Sequence, residues 1–383
     1  MRINFKLLLL SFLIGCTVKT KSKQSTSLNI GDVAPDLRVS EWIKGTPIQK
    51  FEKGKVYVLE FWATWCRPCL AGMPHLSALA RKYKDKVNVI AIDIYESQLK
   101  PKKSPAQVRA FVDSIGNQME FSVAIEDSNF TVKDWIKNAE EKNSGIPRTF
   151  VIDGNGRLAW IGYPSKLDGV LSQIVNNTWD VEKERTTRDL NRQLAILDDS
   201  LQYELTRFTR NNYNMNDTDK PDSALLKIDE MVRIEPNLKY ARRIAWYTFS
   251  ALLQTDLRKA YEYGKTAIAT PSYDDEPLYD VIINGIERYS DKSYASDKLN
   301  LTPEIYELGA EAYQVEIDQI PYPELANMPK LYSNMAQMYW RAKNKTKAIE
   351  AQQKAIDILK GRVDLSKKDL AGYEERLKGF MSI

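Results

Sequence analysis

Apolar positions follow three different patterns along the chain. Residues 7–14 form a block that is apolar except at Ser11 and is preceded by Arg2 and Lys6. Further on come short runs, Lys55-Val56-Tyr57-Val58-Leu59 and residues 86–93, rich in β-branched and aromatic side chains. Their length and composition predict buried strands. Residues 70–80 and 106–115 instead space their apolar positions as helices do. Strands alternating with helices predict an α/β domain in the first half of the chain. From about Trp179 glycine becomes sparse, strand-like runs vanish and helical periodicity takes over. Residues 177–222 read as a helical linker, with polar helices over 181–210 and an Asn/Asp/Thr-rich loop over 211–222. Residues 223–383 read as an all-α domain. A chain of 383 residues is long enough for two or three domains.

Small residues recur in the helical part. Ala224, Ile228 and Met231 are spaced 0, 4, 7, as are Ala260, Gly264, Ala267 and Ala348, Gln352, Ala355. Residues 331–340 fit a preceding helix, and Ile305, Gly309 and Ala312 repeat the spacing in the middle. The pattern resembles the second helix of tetratricopeptide repeats. The intervals from Ala260 to Ile305 and on to Ala348 exceed the usual ~34 residues. Such spacing serves close helix packing by itself. The resemblance adds a groove that takes a protein or peptide partner; a surface for dimerisation is the competing use.

The first apolar block is too short for an ordinary membrane span and has the charged lead of a secretory signal. It ends in Leu13-Ile14-Gly15-Cys16, which resembles the lipobox of bacterial lipoproteins. That resemblance implies a signal peptide over residues 1–15, acylation of Cys16 and attachment to a membrane through lipid. Residues 16–28, rich in Lys, Ser and Thr, then read as a flexible tether, with the body facing the periplasm. Loss of Cys16 with a cleaved signal is the alternative. Net charge, +4 from 55 basic and 51 acidic residues, gives no case for a nucleic-acid partner. The single histidine, His75, argues against a Ser-His-Asp hydrolase or a multi-histidine metal site.

Two cysteines remain, Cys66 and Cys69, where a predicted strand turns into a predicted helix. A helix N-terminus favours the thiolate, the attacking species in disulfide exchange. Arg67 adds a positive charge, and Pro68 suits a first helical turn. Two cysteines supply only half of a structural zinc shell, with no second pair to complete it. The chemistry requires neither metal nor cofactor.

Phe61-Trp62-Ala63-Thr64-Trp65-Cys66-Arg67-Pro68-Cys69 resembles the active-site motif of the thioredoxin superfamily, most nearly the membrane-tethered oxidoreductases of the TlpA/ResA type. Gly31-Asp32-Val33-Ala34-Pro35-Asp36 resembles the leading segment that this group shares with peroxiredoxins. Residues 144–153 resemble the loop and strand of its cis-proline, and Gly154-Asn155-Gly156-Arg157 its last hairpin turn. The resemblance implies a thioredoxin-like fold for residues 29–176, a central mixed sheet flanked by helices, and dithiol–disulfide exchange with protein substrates, with a membrane or periplasmic electron donor. It assigns Cys66 as nucleophile, Cys69 as resolving thiol, a cis Pro147 against the pair, Ile146 as a backbone contact for extended substrate and Trp65 beside the disulfide. Glu60 matches the buried acid that takes the proton of Cys69. An ordinary solvent-facing strand residue is the alternative, although Glu60 has apolar neighbours on both sides.

Two features depart from the family. Arg67-Pro68 stands where thioredoxins have Gly-Pro, and Gly72 where many relatives carry a glutamate, which shifts acid–base duty toward Glu60. His75 reads as a packing or surface residue. The basic segment 100–105 reads as solvated, with docking of an acidic partner as the functional alternative. Two other functions compete. A thiol peroxidase is suggested by the leading segment, but Leu59 and Ala63 stand where peroxiredoxins place Pro and Thr. A redox-inactive scaffold would use the helical domain alone.

Overall fold

The computed structural model describes residues 28–96, 101–126, 129–139, 145–206, 209–211, 214–218, 220–272, 277–290, 299–320, 327–361 and 367–382. The apolar block, Cys16 and nearly all of the tether lie outside the described residues. No helix among the described residues is long and apolar enough to cross a membrane. The described residues fall into two compact units, 28–189 and 190–382.

The first unit is a six-stranded mixed sheet. Its strands are β1 (Val39–Lys44), β2 (Val56–Trp62), β3 (Val87–Asp93), β4 (Ser122–Glu126), β5 (Arg148–Ile152) and β6 (Leu158–Gly162), in spatial order β1-β4-β3-β2-β5-β6. The β2–β3 and β3–β4 pairs are parallel, and the other three are antiparallel. Helices α1 (Arg67–Lys82) and α2 (Pro105–Ile115) make the crossovers, and α3 (Leu167–Val175) follows β6. This is the thioredoxin-like α/β architecture.

The buried run of β2 explains its central place. Its residues are buried without exception, so side chains of both parities meet a core. Val56, Val58 and Trp62 join the cluster formed with Met73, Leu76 and Leu79 of α1 and Leu171 of α3. Tyr57, Leu59 and Phe61 join the opposite cluster around Trp135 and Phe150. The leading segment closes onto the β5–β6 turn. The Gly31 N–H donates to the Leu158 carbonyl at 2.7 Å, and the Ala34 N–H to that of Gly156 at 3.0 Å. Gly31 takes φ +85°, a backbone state that disfavours a side chain.

Helix α4 (Val181–Thr206) contains the division between the units. Residues 211–222 depart from the predicted loop. A short antiparallel pair forms there, β7 (Thr209–Asn211) with β8 (Asn214–Thr218), and α5 begins at Pro221 (Pro221–Ile234). Backbone pairing needs no apolar side chains, so polar composition concealed it.

The second unit continues with α6 (Arg242–Thr255), α7 (Leu257–Ala269), α8 (Tyr279–Ser290), α9 (Pro303–Gln319), α10 (Met328–Arg341), α11 (Lys345–Lys360) and α12 (Lys367–Met381). Successive helices pack on one another. The four sets of residues with 0, 4, 7 spacing are buried, on α5, α7, α9 and α11. Close approach explains the glycines: a Cβ on Gly285 of α8 would lie 2.8 Å from Phe249 of α6.

Candidate active site

Cys66 is the N-cap of α1, and Pro68 lies in the helix's first turn. The cysteines are joined by a disulfide, with Cα atoms 5.3 Å apart. Cys66 Sγ accepts the Cys69 N–H at 3.3 Å, so the sulfur already faces an unpaired donor of the helix N-terminus. On reduction the same donor and the helix dipole favour the Cys66 thiolate. Cys66 is 3% exposed and Cys69 1%, while Trp65, at 39%, and Arg67 and Pro68 stand outward. Trp65, Arg67 and Pro68 thus stand exposed around a disulfide that is itself nearly closed off from solvent.

Glu60 is fully buried. Alternation along β2 puts its side chain on the same sheet face as Val58 and Trp62, the face whose core contains both cysteines. The solvent-facing alternative is thereby excluded. Register pairs Glu60 with Thr149, whose hydroxyl donates to Glu60 Oε2. Oε1 is buried without a hydrogen-bond partner. Burial pushes the carboxyl up to about 8; the Thr149 hydrogen bond and the Arg148 charge act in the opposite direction. An acid in that range sits near neutrality, where it exchanges protons most usefully.

The Ile146–Pro147 peptide is cis, as the resemblance implies. Ile146 packs against the core cluster that contains both cysteines. Arg148, buried directly after the proline, lies over the Tyr163 ring at 4.9 Å. His75 faces Asp168 at the start of α3, with Nε2 2.6 Å from Oδ2. It serves as a link between helices, in keeping with a packing role. Gly72 is buried within α1.

Sequence reasoning missed Thr149, Arg148, Asp93 and Glu96. The first two were within reach, because antiparallel pairing with β2 sets Thr149 opposite Glu60 once β5 is recognised. Asp93 and Glu96 gave no such signal; only the tertiary fold turns them inward. Lys103 is likewise misread as solvated: its Nζ donates to Thr64 Oγ1 at 2.6 Å. Among the described residues no group of three or more His, Cys, Asp or Glu is arranged to hold a metal ion.

The chain matches the AhpC/TSA family over residues 30–161. It is 31% identical to the protein FixW of Rhizobium leguminosarum over 156 residues, 40% of this chain and 70% of that protein. It is 31% identical to the thioredoxin-like protein YneN of Bacillus subtilis over 153 residues, 39% of this chain and 82% of that one. The thiol-disulfide oxidoreductase ResA of Bacillus anthracis is 31% identical over 183 residues, 45% of this chain and 96% of ResA. These relatives are matched over most of their length and by less than half of this chain. With a thioredoxin-like sheet, an N-capping cysteine and its disulfide partner, the chain belongs to the thioredoxin-like thiol–disulfide oxidoreductases of the ResA type.

Proposed function

We propose that the chain reduces disulfides of protein substrates in the periplasm while held at a membrane by lipid on Cys16. One observation carries the chemical reading: a disulfide at a helix N-terminus shares its face of the sheet with a buried acid that titrates near neutrality. In the reduced protein the Cys66 thiolate attacks one sulfur of the substrate disulfide. A Cys66–substrate disulfide forms, and the other substrate sulfur leaves as a thiolate and takes a proton from water. Cys69 then gives its proton to the Glu60 carboxylate and attacks Cys66 Sγ. The Cys66–Cys69 disulfide forms and the second substrate thiolate leaves. Two electrons have passed to the substrate, and a donor at the membrane or in the periplasm returns them.

Trp65, Arg67, Pro68 and the backbone at Ile146 form the substrate-facing rim, and Pro147 closes the site behind them. A buried sulfur favours an extended strand that pairs with this rim. The lipobox pattern, the lysine- and serine-rich tether and the signal-like lead support the lipid anchor and the periplasmic address. The helical unit, read as tetratricopeptide-like, supplies a surface that selects or holds the client. The leading segment and the AhpC/TSA match suggest a peroxidase instead, but Leu59 and Ala63 lack the groups that peroxiredoxin chemistry uses there.

The Cys69→Ala variant tests the exchange directly. It should accumulate mixed disulfides through Cys66, and Cys66→Ala should accumulate none. Equal trapping by both variants would reject Cys66 as nucleophile, and a scaffold would trap nothing. Mass spectrometry of the membrane fraction tests the anchor: an unmodified N-terminus beyond residue 16 would overturn it.

A further inference from the structure

Beside the Cys66 loop, the carboxyl ends of β3 and β4 hold acids that the exchange steps leave unused. Asp93 closes β3 and Glu126 closes β4, and Glu96 follows three residues after Asp93. With Tyr95, Lys102 and Lys103 they line a cavity of about 280 Å³. Asp93 is 1% exposed and Glu96 7%. Asp93 Oδ1 and Glu96 Oε2 are both buried, and no N–H or hydroxyl group donates to either.

Two contacts lead from this cluster to the active-site loop. Glu96 Oε1 accepts the Thr64 N–H at 2.7 Å, and Lys103 Nζ reaches the Thr64 hydroxyl. Thr64 stands two residues before Cys66, so its backbone sets how the loop delivers the cysteine to the helix. Two buried carboxyls side by side do not both ionise readily. Burial first, then the charge and hydrogen bond of Glu96 and the charge of Glu126, push Asp93 up to about 9; Lys103 acts in the opposite direction. A protonated Asp93 donates to Glu96, which keeps an oxygen for the Thr64 amide. Loss of that proton sets two charges against each other behind the loop.

We propose that Asp93 and Glu96 act as a pair of positioning residues, in which a proton on Asp93 lets Glu96 hold the Thr64 amide and so keep the Cys66 loop in its reactive place. The inference rests on Cys66 as nucleophile. Glu126 from β4, Tyr95 from the loop after β3, and Lys102 and Lys103 from the segment before α2 line the cavity around the pair, and of these Glu126 and Lys103 act on Asp93.

Single-turnover reduction of insulin by the pre-reduced full chain tests the pair. Asn at position 93 keeps a donor to Glu96 but does not ionise. The ratio of the Asp93→Asn rate to the wild-type rate should therefore rise about tenfold between pH 8 and pH 10, as the wild-type acid ionises. A ratio constant over that range overturns the proposal. Glu96→Ala should lower the maximal rate roughly tenfold at pH 8, with the half-saturating insulin concentration unchanged. Glu96→Gln, whose amide oxygen still accepts the Thr64 N–H, should recover most of it. Equal loss in both Glu96 variants also overturns the proposal. If Glu96→Ala does not fold, the near-isosteric Asp93→Asn variant still decides the matter. Iodoacetamide alkylation mapped by mass spectrometry separates the premises: modification away from Cys66 removes the nucleophile assignment, whatever the pH ratios show.

Discussion

Glu60→Gln removes the ionisation of a fully buried acid while keeping nearly the same shape. The folded carboxyl titrates at about 8, against 4.5 as its ordinary value. Between those two pH values the folded protein binds the proton more tightly than the unfolded chain does. The contribution of Glu60 to stability is thus greatest below about 4.5 and falls as pH rises toward 8. Each pH unit in that window is worth about 1.4 kcal/mol, so the full interval amounts to about 5 kcal/mol. The glutamine variant lacks this dependence. Its stability relative to wild type should rise by about 1.4 kcal/mol per pH unit from pH 5 to pH 8 and then level off. Hydrogen exchange of the β2 amides reads the opening free energy of this unit separately from the helical one. The two proteins should be compared in their oxidised forms, so that cysteine titration does not enter. A difference that stays constant from pH 5 to pH 9 would refute the burial argument for Glu60.

Three further outcomes follow from named contacts. Glu60→Gln should slow resolution of a Cys66 mixed disulfide by about 100-fold, the usual scale of a lost general base; stopped-flow thiol release checks it, and a wild-type rate with an unchanged pH profile would remove Glu60 from the mechanism. Thr149→Val deletes the hydroxyl donor that holds the Glu60 pKa down, so the upper end of the pH-dependent exchange window should move above 8. A downward shift would contradict the assigned cause. Gly285→Ala gains about 1 kcal/mol of helix propensity, but its Cβ would press on the buried Phe249 ring at 2.8 Å, an overpacking cost of about 2 kcal/mol. Denaturant unfolding of the helical unit should show a net loss, and a gain would mean that the α6–α8 contact yields.

The residues of the site differ in how far their roles are visible in the sequence. Cys66, Cys69 and Glu60 were legible because their chemistry depends on local order: a strand, a turn into a helix, and an acid within that strand. The core faces of the helical unit were legible for a similar reason, since the 0, 4, 7 spacing of Ala260, Gly264 and Ala267 is itself the geometry of a buried helix face. Thr149 depends on the register between strands distant in sequence. Asp93 and Glu96 depend on what packs against the ends of two parallel strands. Lys103 looked solvated because a run of basic residues ordinarily is, yet one long side chain folds back to Thr64. The β7–β8 pair escaped because polar strands carry no hydrophobic alternation. Interactions between distant segments, rather than residue types, account for what the sequence concealed.

The proposed role as a reductant through Cys66 and Cys69 requires a low reduction potential of that pair, and this potential is the quantity to measure first. The tryptophan at position 65, next to the disulfide and partly exposed, reports the redox state by fluorescence during equilibration with dithiothreitol or glutathione buffers. A pair that reduces protein disulfides should give about −270 mV, at the thioredoxin end of the scale. A value of about −120 mV, that of a strong oxidant, would overturn the proposed role and reverse the direction of electron flow.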